Sequence, residues 1–432
     1  MKLPVADPYL PGHGDPSYAV EHYDLDLSYA VEGNRLAGDA RLRVRLREDA
    51  DRIVLDLAGL KVEKVRLEGA RLGKHHHRSD RLVLQFAQTV AAGEELTVAV
   101  RYSGNPRPVI DRHHGDAGWE ELADGVIVAA QPHGSPTWFP CNDRPDDKAT
   151  YRIAVTTPAG YRVASNGELV EHRRGGSRET WVHAMETPMA TYLATVQIGR
   201  YRLTETDADG IPVRTIGPDD VDLAGSFDLQ PQMMAAFLDL FGPYPFGSYT
   251  AVITDDDLEI PLESQGLSTF GRNFAAPVWE RTRLIAHELA HQWFGNAVTL
   301  ARWRDIWLHE GFACYAEWLW SEHSGQRSTD ELAAHFHERL AGLDQDLLLA
   351  DPGPELMFDD RVYKRGALAL HAVRGLLGDE AFFDLLRRWV ADHTGRSVTT
   401  EEFLGYADAL TGADVSGLLR PWLYEMPLPA RS

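Results

Sequence analysis

Midway along the chain the spacing of apolar residues changes period, and that switch limits the fold more than any other feature. In the first half, "YDLDLSY" sets Leu25 and Leu27 against Asp24 and Asp26, and "RLRVRLR" sets Leu42, Val44 and Leu46 against Arg41, Arg43 and Arg45. "RLVLQF", "ELTVAVRY" and "YRIAVTT" keep the same period of two, with Gly, Pro and Asn between them. Side chains alternate across a strand, so this pattern predicts half-buried antiparallel β-sheet. From "PQMMAAFLDLFG" onward the period moves toward 3.6, the signature of helices buried on one face. "ERTRLIAHELAHQWFGN" ends at Gly-Asn, "EGFACYAEWLWSEHSG" ends at Gly325, and "TTEEFLGYADALTG" opens with a Thr399-to-Glu402 capping pattern. "YTAVITDDDLEIPLESQGLSTFG" reads as strand, loop and strand between the halves. The expectation is a multi-domain protein: an N-terminal antiparallel β domain over residues 1–203, then a mainly helical α+β domain over residues 204–432.

The 432 residues carry a formal charge of −22, which opposes a nucleic-acid partner because phosphate binding needs clustered Lys and Arg. Two cysteines, Cys141 and Cys314, make no disulfide framework and suit a reducing compartment. "MKLPVADPYLPGHGDP" lacks the apolar core of a signal peptide, and no 18-residue apolar run follows, so a cytoplasmic protein off the membrane is expected. The oligomeric state stays open.

"RLIAHELAHQWFGN" holds His287, Glu288 and His291 in the HExxH spacing. Residues i and i+4 share a helix face, so the two imidazoles can aim at one point with Glu288 beside them. Eighteen residues after His291, "HEGFACYAEW" places Glu310 early on the next predicted helix. Two His and one carboxylate make the open three-ligand set of a catalytic zinc, one Zn²⁺ per chain; a structural zinc would be closed by Cys or a fourth His. "KHHHR", His75 to His77, has no acidic partners at ligand spacing and reads as a solvated hairpin tip.

"HELAHQWFGNAVT" and "WLHEGFACYAEW" resemble the zinc aminopeptidases of the aminopeptidase N family, which includes the leukotriene hydrolase. The resemblance extends to "WFPCNDRPDDKATYRIAV", matching the family's Pro-Cys-x-Asp-x-Pro-x-x-Lys, and to "FGPYPFGSY". "PLESQGLSTF" stands where the family has Gly-Ala-Met-Glu-Asn, and "VYKRGALAL" where it has Tyr-x-Lys-Gly. In that order the matches run from about residue 15 to 425. The resemblance implies a saddle-like β domain followed by a thermolysin-like zinc peptidase domain. It also implies hydrolysis of the N-terminal peptide bond of peptides with a free N-terminus, by a zinc-activated water. His287, His291 and Glu310 then hold the metal and Glu288 is the general base. Tyr363 matches the family's oxyanion-stabilising tyrosine; by itself it would pass for an ordinary aromatic opening a helix. Glu263 matches the glutamate that meets the α-ammonium, and Gln131, nine residues before Pro140, matches a β-domain position reaching the same group, although a loop glutamine is often simply solvated. Glu317, a heptad after Glu310, either orients a ligand or faces solvent.

The chain departs from the family pattern in places. Ile260-Pro261-Leu262-Glu263-Ser264 lacks the family glycines, so contacts to the substrate main chain should differ. Tyr363-Lys364-Arg365-Gly366 keeps the positive charge, and His309, which precedes the zinc glutamate, is not expected to be a ligand. The family's C-terminal helical domain has no counterpart after "RPWLYEMPLP", which predicts a more open site unless a partner covers it. Two competing readings remain: a catalytically silent peptide-binding relative, and an endopeptidase or non-peptide hydrolase on the same zinc core.

Overall fold

The computed structural model describes residues 7–430; the start of the stretch read for a signal sequence lies outside them. The alternating segments build a seven-stranded sheet in the order Glu168–Gly175, Arg178–Met189, Ala149–Pro158, Tyr18–Ala30, Arg35–Leu46, Glu95–Gly104, Lys61–Glu68. Its burial follows the pattern residue by residue: Leu42, Val44 and Leu46 are buried while Arg41, Arg43 and Arg45 are exposed. The sheet is antiparallel except where Tyr18–Ala30 runs parallel to Ala149–Pro158, a departure from the wholly antiparallel expectation. More than a hundred residues separate those two strands, room enough for the long crossover that a parallel pair requires. Tyr23 stacks on Tyr151 across this junction at 4.8 Å.

A three-stranded sheet (Ala50–Asp56, Arg81–Val90, Leu72–Arg78) and a five-stranded one (Arg162–Ser165, Val196–Gly199, Gly125–Ala129, Gly115–Leu122, Val109–Asp111) complete this half. His75 to His77 are not at a hairpin tip. They lie within the strand Leu72–Arg78, because Ser79 and Asp80, both at positive φ, make the two-residue turn after it.

The second half contains a mixed five-stranded sheet, ordered Arg202–Ala208, Ile211–Gly217, Tyr249–Ile253, Leu267–Phe270, Leu262–Ser264. Tyr249–Ile253, an apolar run, is buried throughout, as a central strand covered on both faces must be. The second strand expected from "PLESQGLSTF" is two, Leu262–Ser264 and Leu267–Phe270, folded into a hairpin at Gly266 with φ +74°. Helices α1 (Gln230–Phe241), α2 (Trp279–Ala290), α3 (Trp307–His323), α4 (Thr329–Ala341), α5 (Asp360–Leu377), α6 (Asp379–His393), α7 (Thr400–Thr411) and α8 (Val415–Tyr424) follow. Both halves of the Thr399–Glu402 capping box are formed at the start of α7. Every residue of α3 from Trp307 to Ser321 is buried, which makes it the central helix against which α2 and α5 pack. Among the described residues no helix is long and apolar enough to cross a membrane.

Candidate metal centre and active site

Helix α2 ends at Ala290 rather than at Gly295, yet His291 keeps helical angles (φ −56°, ψ −22°) and its N–H donates to His287 O at 3.2 Å. The i, i+4 relation on which the motif depends is therefore intact. Glu310 sits in the first turn of α3, and donor atoms of His287, His291 and Glu310 all lie within 4.8 Å of one another. Glu310 Oε2 is 3.3 Å from His287 Nε2 and 3.5 Å from His291 Nε2.

The opposite ring nitrogens are fixed from behind. His287 Nδ1 is 2.8 Å from Glu317 Oε1, and His291 Nδ1 is 3.0 Å from the Phe294 carbonyl. Glu317 thus faces the histidine, not solvent, and Arg283 Nη1 holds its other oxygen at 2.9 Å. Burial opposes ionisation of Glu317, but Lys364 and Arg283 keep its carboxyl below the usual range. Burial opposes ionisation of Glu310 as well, and His291 and His287 outweigh it. Arg283, one helical turn before His287, escaped the sequence reading although the i−4 spacing was there to read.

His309 is absent from the ligand group. Burial pushes its pKa down to about 3, and its Nε2 accepts the Leu300 N–H at 2.8 Å.

Glu288 Oε2 is buried and has no hydrogen-bond partner among the described residues, and burial pushes its carboxyl up to about 8. Donor atoms of Glu288, Glu263 and His291 form a second group within 4.8 Å. Glu263, 4% exposed, lies on the edge strand Leu262–Ser264, and Gln131 reaches it from the other half of the chain, Nε2 donating to Oε1 at 2.8 Å. The Tyr363 ring lies 5.9 Å from that of His287, nearly parallel at 19°. Burial and then the charges of Glu310, Glu263 and Glu288 raise its pKa well above the ordinary value, so its O–H remains a donor. The seven residues that the sequence assigns to the metal, the reaction and the substrate amine therefore converge on one place, with Glu317 beside them.

The charges that follow Tyr363 make their direct contacts away from the metal cluster. Lys364 Nζ donates to Cys314 Sγ at 3.2 Å and lies over the Phe336 ring, while Arg365 donates to the carbonyls of Trp422 and Met426 at 2.8 Å each.

Two imidazoles and a carboxylate converging on one point, with an unpaired carboxylate oxygen next to them, suit a zinc ion that keeps an open coordination position.

Comparison with known proteins agrees with this geometry. The peptidase M1 N-terminal domain matches residues 19–193, and the peptidase family M1 domain matches residues 226–422. Aminopeptidase M1-A of Oryza sativa subsp. japonica is 27% identical over 459 residues, covering 97% of this chain and 51% of its own length. Endoplasmic reticulum aminopeptidase 1 of Homo sapiens is 25% identical, covering 90% of this chain and 45% of its own. The chain thus spans about half the length of such curated relatives. A glutamate-to-alanine mutant of the M1 zinc metallopeptidase of Deinococcus radiodurans superimposes with a TM-score of 0.90 at 32% identity, covering 99% of both chains. The same mutant bound to a Tyr-Ser-Ala substrate gives 0.89 at 33% identity, covering 99% of this chain and 98% of its own.

Proposed function

Because the chain belongs to peptidase family M1, we propose that it is a zinc-dependent aminopeptidase that releases the first residue of peptides with a free N-terminus. Residues 204–432 supply the metal cluster and residues 1–203 supply Gln131. His287, His291 and Glu310 would hold the ion, which would supply Lewis-acid polarisation of the scissile carbonyl and a water of pKa about 7. A cation held by the neighbouring ligands would keep the Glu288 carboxyl ionised against the burial that raises it, so that Glu288 takes the proton from the attacking water and returns it to the leaving amine. Its unpaired, buried oxygen suits that task, since no protein donor competes for it. Tyr363 donates to the oxygen that becomes anionic as the carbonyl turns tetrahedral. Glu317 holds His287 in the tautomer that presents Nε2 to the metal.

The observation that carries the exopeptidase reading is the buried Glu263 carboxylate beside the metal cluster with Gln131 donating to it. A buried carboxylate is costly without a cationic partner, and a substrate α-ammonium supplies one. Gln131 spends its amide N–H on Glu263, which leaves its carbonyl oxygen to accept from the same ammonium. An endopeptidase would have to pass an uncharged backbone through this corner. The relative bound to Tyr-Ser-Ala supports peptides as the substrate class. We place the protein in the cytoplasm, where its two buried free cysteines stay reduced.

The test compares release of a fluorogenic amine from aminoacyl substrates and from their N-acetylated forms, with and without a chelator. Chelator-sensitive turnover confined to the free amines is expected; comparable turnover of the blocked forms would rule the exopeptidase reading out.

A further inference from the structure

The segment "WFPCNDRPDDK" ends in a lysine for which the reaction as described has no use. Lys148 lies just before the strand Ala149–Pro158, and its Nζ donates to Asn296 O at 3.0 Å, Ala297 O at 3.1 Å and Thr299 Oγ1 at 2.8 Å. Burial pushes the Lys148 pKa down to about 7, and in its protonated form the three donors of Nζ are all spent on one turn. Among the described residues no carboxylate forms an ion pair with it, so the interaction is directed at backbone geometry rather than at charge neutralisation.

That turn directly follows His291 and is bonded on its other side to the amine-binding hairpin. Asn296 N–H donates to His291 O at 2.9 Å, and Asn296 Nδ2 donates to Ser264 O at 3.0 Å. Gln292 Nε2 donates to the same Ser264 carbonyl at 3.2 Å, while Gln292 Oε1 accepts the Gly266 N–H at 2.8 Å. One chain of hydrogen bonds therefore runs from the Lys148 ammonium through the turn to the strand carrying Glu263. The tip of that hairpin has a separate tie to the β half, Asn166 Nδ2 donating to Gln265 O at 2.9 Å. Loss of Lys148 should thus let the strand shift without releasing it.

We propose that Lys148 is a positioning residue: by gripping the turn at Asn296–Thr299 it sets the Glu263 strand against the metal cluster and so tunes recognition of the substrate ammonium. This assignment rests on the aminopeptidase reading for its kinetic consequence only. The experiment compares Lys148→Met and Lys148→Arg with the unmodified protein at equal zinc content, reading KM and kcat on a free aminoacyl substrate and amide exchange at Gly266 and Asn296. For Lys148→Met, KM should rise about tenfold with kcat little changed, the size expected from losing a hydrogen bond to a charged group. Exchange at both amides should quicken, and Lys148→Arg should restore most of both properties. If Lys148→Met does not fold, Thr299→Val, which removes one acceptor, should move both readouts in the same direction by about two- to threefold.

A structural role alone would lower the active fraction and leave KM in place. Unchanged exchange at Gly266, or faster exchange with KM unmoved, would overturn the proposal. Exchange needs no turnover, so a protein that hydrolyses nothing would defeat the functional reading while exchange still decides for or against Lys148.

Discussion

Glu263 and Glu288 are both buried and donor-poor, and burial raises the pKa of each, yet their neighbours assign them different work. Glu263 already accepts one hydrogen bond, from Gln131, which suits the ammonium-binding role proposed for it; Glu288 has an oxygen with no partner among the described residues, which suits the proposed general base. In Glu288→Gln the metal ligands are untouched, so zinc content by atomic absorption should stay at the unmodified level. The rate should fall by about 10²–10⁴, the usual share of a positioned general base. Full activity in that variant would remove Glu288 from the role. Glu263→Gln keeps the shape and loses only the charge, so the N-acetylated substrate should be handled as before. kcat/KM on the free amine should drop about 10–100-fold, because a charge-assisted hydrogen bond contributes about 1.5–3 kcal/mol. An unchanged ratio between the two substrates would show that the ammonium is met elsewhere.

Helices α3 and α5 bring Glu310 and Tyr363 to the same site, and they can do so only because two glycines meet where they touch. A Cβ added to Gly366 would sit 2.6 Å from the Cα of Gly311, and one added to Gly311 would sit 2.9 Å from the Cα of Gly366. Both obstacles are backbone and cannot swing aside. Gly366→Ala should therefore destabilise the protein despite gaining about 1 kcal/mol of helix propensity, since overpacking costs about 1–3 kcal/mol. It should also lower kcat by moving Tyr363 away from Glu310. Gly375 lies on the same helix with nothing within 4 Å of its added Cβ, so Gly375→Ala should stabilise by up to about 1 kcal/mol and leave kcat alone. Urea titration of the pair checks this, and equal shifts would mean that the glycine contact does not set the crossing. Neither the contact nor its importance can be read from the sequence, because 55 positions separate the two glycines and nothing local links them. Elements governed by local rules were legible: the alternating strands, the Thr399–Glu402 cap and the His287/His291 spacing. The parallel pair of Tyr18–Ala30 with Ala149–Pro158 and the grip of Lys148 on Asn296 are long-range pairings, to which periodicity is blind. Glu317 falls between these cases, since its heptad offset from Glu310 was visible while the choice between His287 and solvent needed α2 in place.

Where the two halves of the chain meet, their charges constrain the acid stability of the assembly. His183, on the strand Arg178–Met189, is 6% exposed, and burial followed by the charge of Arg214 pushes its pKa down to about 4 from an ordinary 6.5. Arg214 belongs to the mixed sheet of the second half and donates to Glu168 of the first at 3.1 Å, so a proton on His183 would put a buried positive charge near a contact joining the two. With the folded pKa below the unfolded one, the unfolded chain binds this proton first as pH falls. The contribution of neutral His183 is complete above pH 6.5 and is lost progressively between about 6.5 and 4, amounting to about 3 kcal/mol at the low end. Asp147 works in the opposite sense: burial raises its carboxyl to about 7, so its protonated form favours folding at low pH and that advantage disappears as pH rises. The two effects overlap in the same window, and the pH dependence of the unmodified protein alone cannot separate them. The difference between the unmodified protein and His183→Gln can, because Asp147 is common to both. Urea midpoints at pH 8 and pH 5 should show His183→Gln losing less stability on acidification than the unmodified protein. If the two lose the same amount, His183 takes up its proton at the same pH in the folded and unfolded chains, and the acid lability arises from some other group.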